Sequence, residues 1–155
     1  MNSLTRWWRS KGHGIHSPYA FRLITEALPE RGRYYAYDEI EQLPDSRRLK
    51  LLFRLVCEFT PSTVYGFMIS DNERAVMLMA DSRIRFVDSL EEADLIVGIL
   101  PVVLREGQAA VYPSTGRAWT NFKRLLREGM TFSNGRTGVA VNRHGIPRQD
   151  YESRF

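Results

Sequence analysis

Pro113-Ser-Thr-Gly-Arg117 is the stretch whose residue types best match a phosphate cradle, with small polar residues and a glycine between an apolar run and a helical pattern. Backbone N–H groups at a helix N-terminus favour anions, so a carboxylate or phosphate could rest on Ser114, Thr115 and Gly116. The same residues also serve an ordinary purpose, since Ser114 or Thr115 can cap the helix that follows. Three histidines, His13, His16 and His144, lack the helical i, i+4 spacing or converging carboxylates of a metal site. Packing or solvent exposure is the expectation for them. As a general base, His16 has no neighbour in sequence to orient it.

Cys57 is the single cysteine, which excludes an internal disulfide and a cysteine-rich zinc site. Its neighbours Leu55, Val56 and Phe59 suggest a core thiol rather than a nucleophile. No P-loop, Ser-His-Asp order or pair of catalytic carboxylates is present. Near the start, Trp7, Trp8 and Arg9 could stack on bases while Arg6 and Lys11 meet phosphates, as in single-strand binders. Tryptophans on an arm more often bury against their own domain or a sister subunit, which makes nucleic acid the minor reading.

The elements that must position these residues change character along the chain. Residues 1–16 show no clean period and read as an arm lying on the domain. Ser17-Pro18 then begins a helix, Ser as N-cap and Pro at the first helical position, with Phe21, Ile24, Ala27 and Leu28 as its apolar face and Pro29 as its end. A second helix from Asp45 places Leu49, Leu52, Phe53, Val56 and Phe59 on one face, with Arg47, Arg48, Lys50 and Arg54 between them, and closes at Pro61. From Thr63 onward short apolar runs alternate with helical segments, the pattern of a parallel α/β sheet. Strands are expected at 63–69, 84–87, 94–100 and 109–112, and helices at about 72–80 and 119–128. Segments 130–133 and 138–142, with Asn134-Gly135 between them, read as an antiparallel hairpin.

With 155 residues, 43% apolar and 26% charged, the chain suits one folded soluble domain over 1–155. Its charge is uneven: ten basic against seven acidic residues over 1–60, three against seven over 61–100, and nine against four over 101–155. Basic ends around an acidic middle permit a phosphate-bearing partner, although solvated arginines give the same count. No apolar run approaches the roughly 18 residues of a membrane span, and residues 1–14 lack the apolar stretch of a signal peptide. A cytoplasmic protein with no membrane partner is expected.

Three stretches carry a family resemblance: Lys11-Gly-His-Gly-Ile-His-Ser-Pro-Tyr-Ala-Phe21, Tyr34-Tyr-Ala-Tyr-Asp-Glu-Ile-Glu41, and the closing hairpin with Gly138. They resemble a bacterial branch of the class I S-adenosylmethionine-dependent methyltransferases, well over the first 60 residues and loosely over the last 50. The resemblance implies an α/β fold: a reduced Rossmann-like methyltransferase sheet over 61–155, mostly parallel, with a C-terminal antiparallel hairpin, preceded by an N-terminal helical segment over 1–60. It also implies a cofactor site at Gly66, in the turn after the first strand, and at Asp88, the acidic residue that would hold the ribose, 22 residues further on. Asp88 equally suits a cap for the segment 89–93.

The chain departs from the family between those stretches. Its first turn, Thr63-Val-Tyr-Gly-Phe-Met-Ile-Ser-Asp71, has one glycine, flanked by Tyr65 and Phe67, where the cofactor needs close backbone approach. The link from Asp88 to Asp94 is also too short for a crossover helix, which points to deletion of one or two strand–helix units. Ile84–Val87 then matches the ancestral second or third strand. The expectation is a domain that has lost catalysis and acts as a binding or assembly module, with no cofactor and with self-association through the arm. An active small-molecule methyltransferase using S-adenosylmethionine is the main alternative, and a nucleic-acid-binding module the second.

Overall fold

The structure, a computed structural model, describes residues 3–12 and 14–155. The arm departs from expectation. Ser3–Arg9 forms a helix, α1, rather than an irregular segment. Leu and Arg favour helix, and the turn closes where Gly12 adopts φ +83°, its N–H donating to the Arg9 carbonyl at 2.8 Å. Phe21 explains the glycine, because a Cβ at Gly12 would lie 2.2 Å from its ring. Phe21 is therefore spent on the arm and stays partly exposed, while Ala20, Leu23, Ile24, Ala27 and Leu28 face the core.

The helix begun at Ser17-Pro18 is α2, Pro18–Arg22, continued by a π-helical turn over Leu23–Ala27. The Ser17 hydroxyl accepts from the Ala20 N–H at 3.3 Å, as its position in sequence predicts. A single turn, α3, spans Tyr37–Ile40, and α4 spans Ser46–Phe59. The five apolar residues read as the face of α4 are all buried. The helix ends on Thr60 in the left-handed region at φ 46°, its N–H donating to Val56, with Pro61 preventing continuation.

Seven strands follow: β1 Thr63–Gly66, β2 Arg85–Phe86, β3 Leu95–Val97, β4 Ala109–Tyr112, β5 Met130–Ser133, β6 Gly138–Val141 and β7 Gln149–Glu152. Helix α5, Asp71–Ala80, lies between β1 and β2, and α6, Arg117–Leu125, between β4 and β5. The sheet order is β2-β1-β3-β4-β6-β5-β7. β6 alone opposes the other six, pairing antiparallel with both β4 and β5. The chain is an α/β fold with a mixed, mostly parallel sheet and N-terminal helices.

Alternation along the strands separates two faces. Val64, Leu95, Val97, Ala109, Val111, Met130, Phe132, Val139 and Val141 share one core with α2 and α4. On the other face Ile96, Ala110 and Ala140 meet Trp119, Phe122 and Leu126. Gly138 lies under Trp119, where a Cβ would come 2.6 Å from the indole. The hairpin expected at Asn134-Gly135 is present as a four-residue loop. Its Asn134 Oδ1 accepts from the backbone N–H of Arg136 at 2.9 Å and Thr137 at 2.7 Å.

Four strands are shorter than expected: β1 stops at Gly66, β2 covers only Arg85–Phe86, β3 only Leu95–Val97, and β6 stops at Val141. One strand was not legible. β7 is polar in sequence and forms the sheet edge beyond the hairpin, held by Tyr151 stacked on Phe132 at 5.4 Å and by Thr131 donating to Asp150 at 2.6 Å. The hairpin is therefore not the edge of the sheet. Among the described residues no helix is long and apolar enough to cross a membrane.

Candidate functional site

The sheet order reverses at β1. The chain steps from β1 outward to β2, then crosses to place β3 on the other side of β1. In open α/β sheets ligands bind outside the carboxyl ends of the strands at such a reversal, so the ends of β1 and β3 are the first place to look.

At that crevice the loop after β1 packs against the end of β3. Past Gly66 the Phe67 N–H donates to the Val97 carbonyl at 2.8 Å, which holds the loop against β3. Gly98, at φ +91°, accommodates it: a Cβ there would lie 2.3 Å from the Phe67 carbonyl oxygen. Met68 takes the left-handed conformation at φ 51°, and Ile69 folds back so that its Cδ1 would be 2.3 Å from a Cβ on Gly66. Gly66 thus makes room for Ile69, and Gly98 for the loop backbone.

The N-terminus of α5, where an anion would sit in a nucleotide-binding sheet, is occupied. Ser70 accepts from the Glu73 N–H at 3.1 Å while the Glu73 carboxylate accepts from the Ser70 N–H at 2.8 Å, a reciprocal capping box. The other Glu73 oxygen lies 2.6 Å from Arg48 in an ion pair without hydrogen-bond alignment. A second negative charge at this helix end meets an internal carboxylate already there.

Asp88 follows β2 at the same edge and is exposed, with no side-chain hydrogen bond or ion pair among the described residues. Gly66 and Asp88 therefore share one end of two neighbouring parallel strands. Ser114, Thr115 and Gly116 follow β4, two strands from β1, or about 10 Å away at the usual strand spacing. The expectation that Ser114 or Thr115 caps α6 is not met. Gly116 is the N-cap residue and no side chain caps the helix; the Ser114 hydroxyl turns instead to the Gly116 N–H at 3.2 Å. Two residues of spacing allow that local turn to compete with the cap.

Cys57 corrects a second expectation. It is exposed on the flank of α4, between the buried Val56 and the half-buried Glu58, because position 57 falls off the apolar stripe. The partial burial it does have raises the thiol pKa, and the Asp81 carboxylate adds to the effect. Both influences disfavour the nucleophilic thiolate. His16 and His144 are exposed, His144 lying 3.6 Å from Glu106, and His13 lies outside the described residues. No group of three metal-capable side chains occurs among the described residues.

Trp7 and Trp8 retain 49% and 59% exposure, so neither is buried against its own domain. The arm is tied down by arginines instead: Arg6 meets Glu152 at 3.4 Å, and Arg154 donates to the Ser3 carbonyl at 3.3 Å and to its hydroxyl.

Sequence reading missed one feature. A cavity of about 790 Å³ opens between the start of α4, the hairpin loop and the residues after β7, and Arg47, Arg48, Arg54, Arg136 and Arg154 all line it. The basic residues interleaved in α4 were visible, but nothing in sequence joined them to Arg136 and Arg154. Comparison with protein-family models, curated proteins and solved structures finds no match to this chain. The α/β architecture and the two regions above are what define it.

Proposed function

We propose that this chain is a catalytically inert domain of methyltransferase-like build that acts as a binding or assembly module. The loop packed at the end of β1 carries the reading: Gly98 and Gly66 accommodate the Phe67–Ile69 loop, in the space a cofactor's amino-acid end would need. The strand order supports the lineage. β2-β1-β3-β4 is the order 2-1-4-5 of a doubly wound sheet that has lost its third strand, and the antiparallel β6 follows as the resemblance implies. On this reading β2 matches the second ancestral strand, because it lies directly beside β1.

The loops leaving β1 and β3 carry exposed apolar side chains, Phe67, Met68, Val102 and Val103, which suit contact with a partner better than they suit water. One observation favours the alternative of a retained S-adenosylmethionine site: Asp88 is exposed and unpaired at the end of β2, where a ribose would be held. Calorimetric titration with S-adenosylmethionine and its demethylated product separates the two readings.

A further inference from the structure

The arginine-lined cavity lies at the same carboxyl end of the sheet and adjoins the N-terminus of α5 through the Arg48–Glu73 ion pair, but it is built from other residues than the crevice after β1 and does not rest on the methyltransferase lineage. Arg54 is its most telling residue. At 4% exposure its guanidinium is buried, and it donates to the carbonyls of Ala27 at 3.1 Å and Leu28 at 2.8 Å and to the Tyr37 hydroxyl at 2.9 Å. All three acceptors are neutral. A buried charge is costly unless an opposite charge lies near it, and these bonds orient the guanidinium without neutralising it.

The surrounding charge is mostly of the same sign. Arg47 donates to the Phe155 carbonyl at 3.4 Å, Arg154 reaches Ser3, and the Arg136 side chain has no partner among the described residues. Only Arg48 of the five is held by a carboxylate, that of Glu73. Two acidic side chains, Glu30 and Asp45, line the wall, and Glu30 is already bound to Lys50 at 2.8 Å. Arg47, Arg54, Arg136 and Arg154 thus line one cavity with no Asp or Glu side chain among the described residues paired to any of them.

We propose that this cavity binds a small molecule carrying a diphosphate or an equivalent pair of adjacent phosphates. Guanidinium forks match phosphate oxygens in two-point hydrogen bonds, and more than one anionic group is needed to meet several of them. The volume falls within the roughly 300–1,000 Å³ of small-molecule sites, larger than one phosphate requires. Leu51 and Pro29 add an apolar wall for the organic part of such a ligand.

Inorganic pyrophosphate is the probe, titrated calorimetrically into the full chain and into Arg47→Glu and Arg136→Glu, both exposed positions where folding is not at stake. Saturable one-site binding is expected, weakened about tenfold or more by either substitution, the loss of one charge-assisted contact. Arg127→Glu, in the link entering β5 at the opposite end of the sheet, should leave affinity within about twofold. Absence of saturable heat at millimolar pyrophosphate overturns the proposal. So does equal weakening by Arg127→Glu, which would mean diffuse charge attraction. Tight binding of a single-stranded oligonucleotide without pyrophosphate binding overturns it in favour of a polynucleotide surface.

Discussion

The backbone carbonyl of Phe67 rests on Gly98 so closely that a Cβ on Gly98 would lie 2.3 Å from the oxygen. This contact fastens the loop after β1 onto the end of β3, beside the sheet's natural ligand crevice. Gly98→Ala meets both the clash and the positive φ of 91°, so we expect a loss of stability of about 2 kcal/mol or more. Urea unfolding measures it; an unchanged midpoint would mean that the loop is free to move off the end of β3.

Gly138 and Trp119 make a second fitted pair on the opposite face. Gly138→Ala puts a methyl group 2.6 Å from the indole, and overpacking of this kind costs about 1–3 kcal/mol. Trp119→Ala empties a fully buried site and should cost about 3–5 kcal/mol. The two substitutions together should cost less than their sum in a double-mutant cycle, since the smaller side chain removes the clash.

Asp81 and Cys57 give a prediction in pH. Hydrogen bonds from Arg83 hold the Asp81 carboxyl down at about 2, below its ordinary 3.8. A depressed acid contributes stability that is present above about 3.8 and is lost as pH falls toward about 2. In Arg83→Ala the carboxyl should titrate near its ordinary value, read by NMR. Cys57 works in the opposite sense: burial and Asp81 raise its thiol pKa, so alkylation should be slow at neutral pH and faster in Asp81→Asn. A neutral-pH rate above that of a free thiol would show the thiolate to be stabilised.

Deleting residues 1–14 removes α1, the Arg6–Glu152 and Ser3–Arg154 contacts, and the cover Gly12 gives Phe21. A lower melting temperature is expected, at about 2–4 °C for each kcal/mol lost. If Trp7 and Trp8 bury against a sister subunit, light scattering will also show a smaller species for the truncated chain. Unchanged stability and mass, with loss of affinity for single-stranded RNA or DNA, would make the arm a recognition element instead.

The legibility of this fold followed local chemistry. Ser17-Pro18, the apolar stripe of α4 and Asn134-Gly135 are signals written within a few residues, and each formed the expected element. Position 57 lies one step off that stripe, so judging Cys57 by its sequence neighbours placed it wrongly inside. β7 has little strand propensity and exists because β5 offers it an edge and Phe132 a ring to stack on. The filling of the β1 turn was visible in Tyr65, Phe67 and the scarcity of glycine, whereas the role of Gly98, 32 residues away from Gly66, depended on strands pairing. The arginine cavity draws on three distant segments, and only the folded chain brings Arg54, Arg136 and Arg154 to one place.

The central claim, that the crevice at the end of β1 no longer admits a cofactor, is tested most directly by calorimetric titration of the full chain with S-adenosylmethionine. No detectable binding at millimolar ligand is the predicted result. Saturable heat with a dissociation constant in the micromolar range, weakened in Asp88→Ala, would contradict it and establish a working cofactor site.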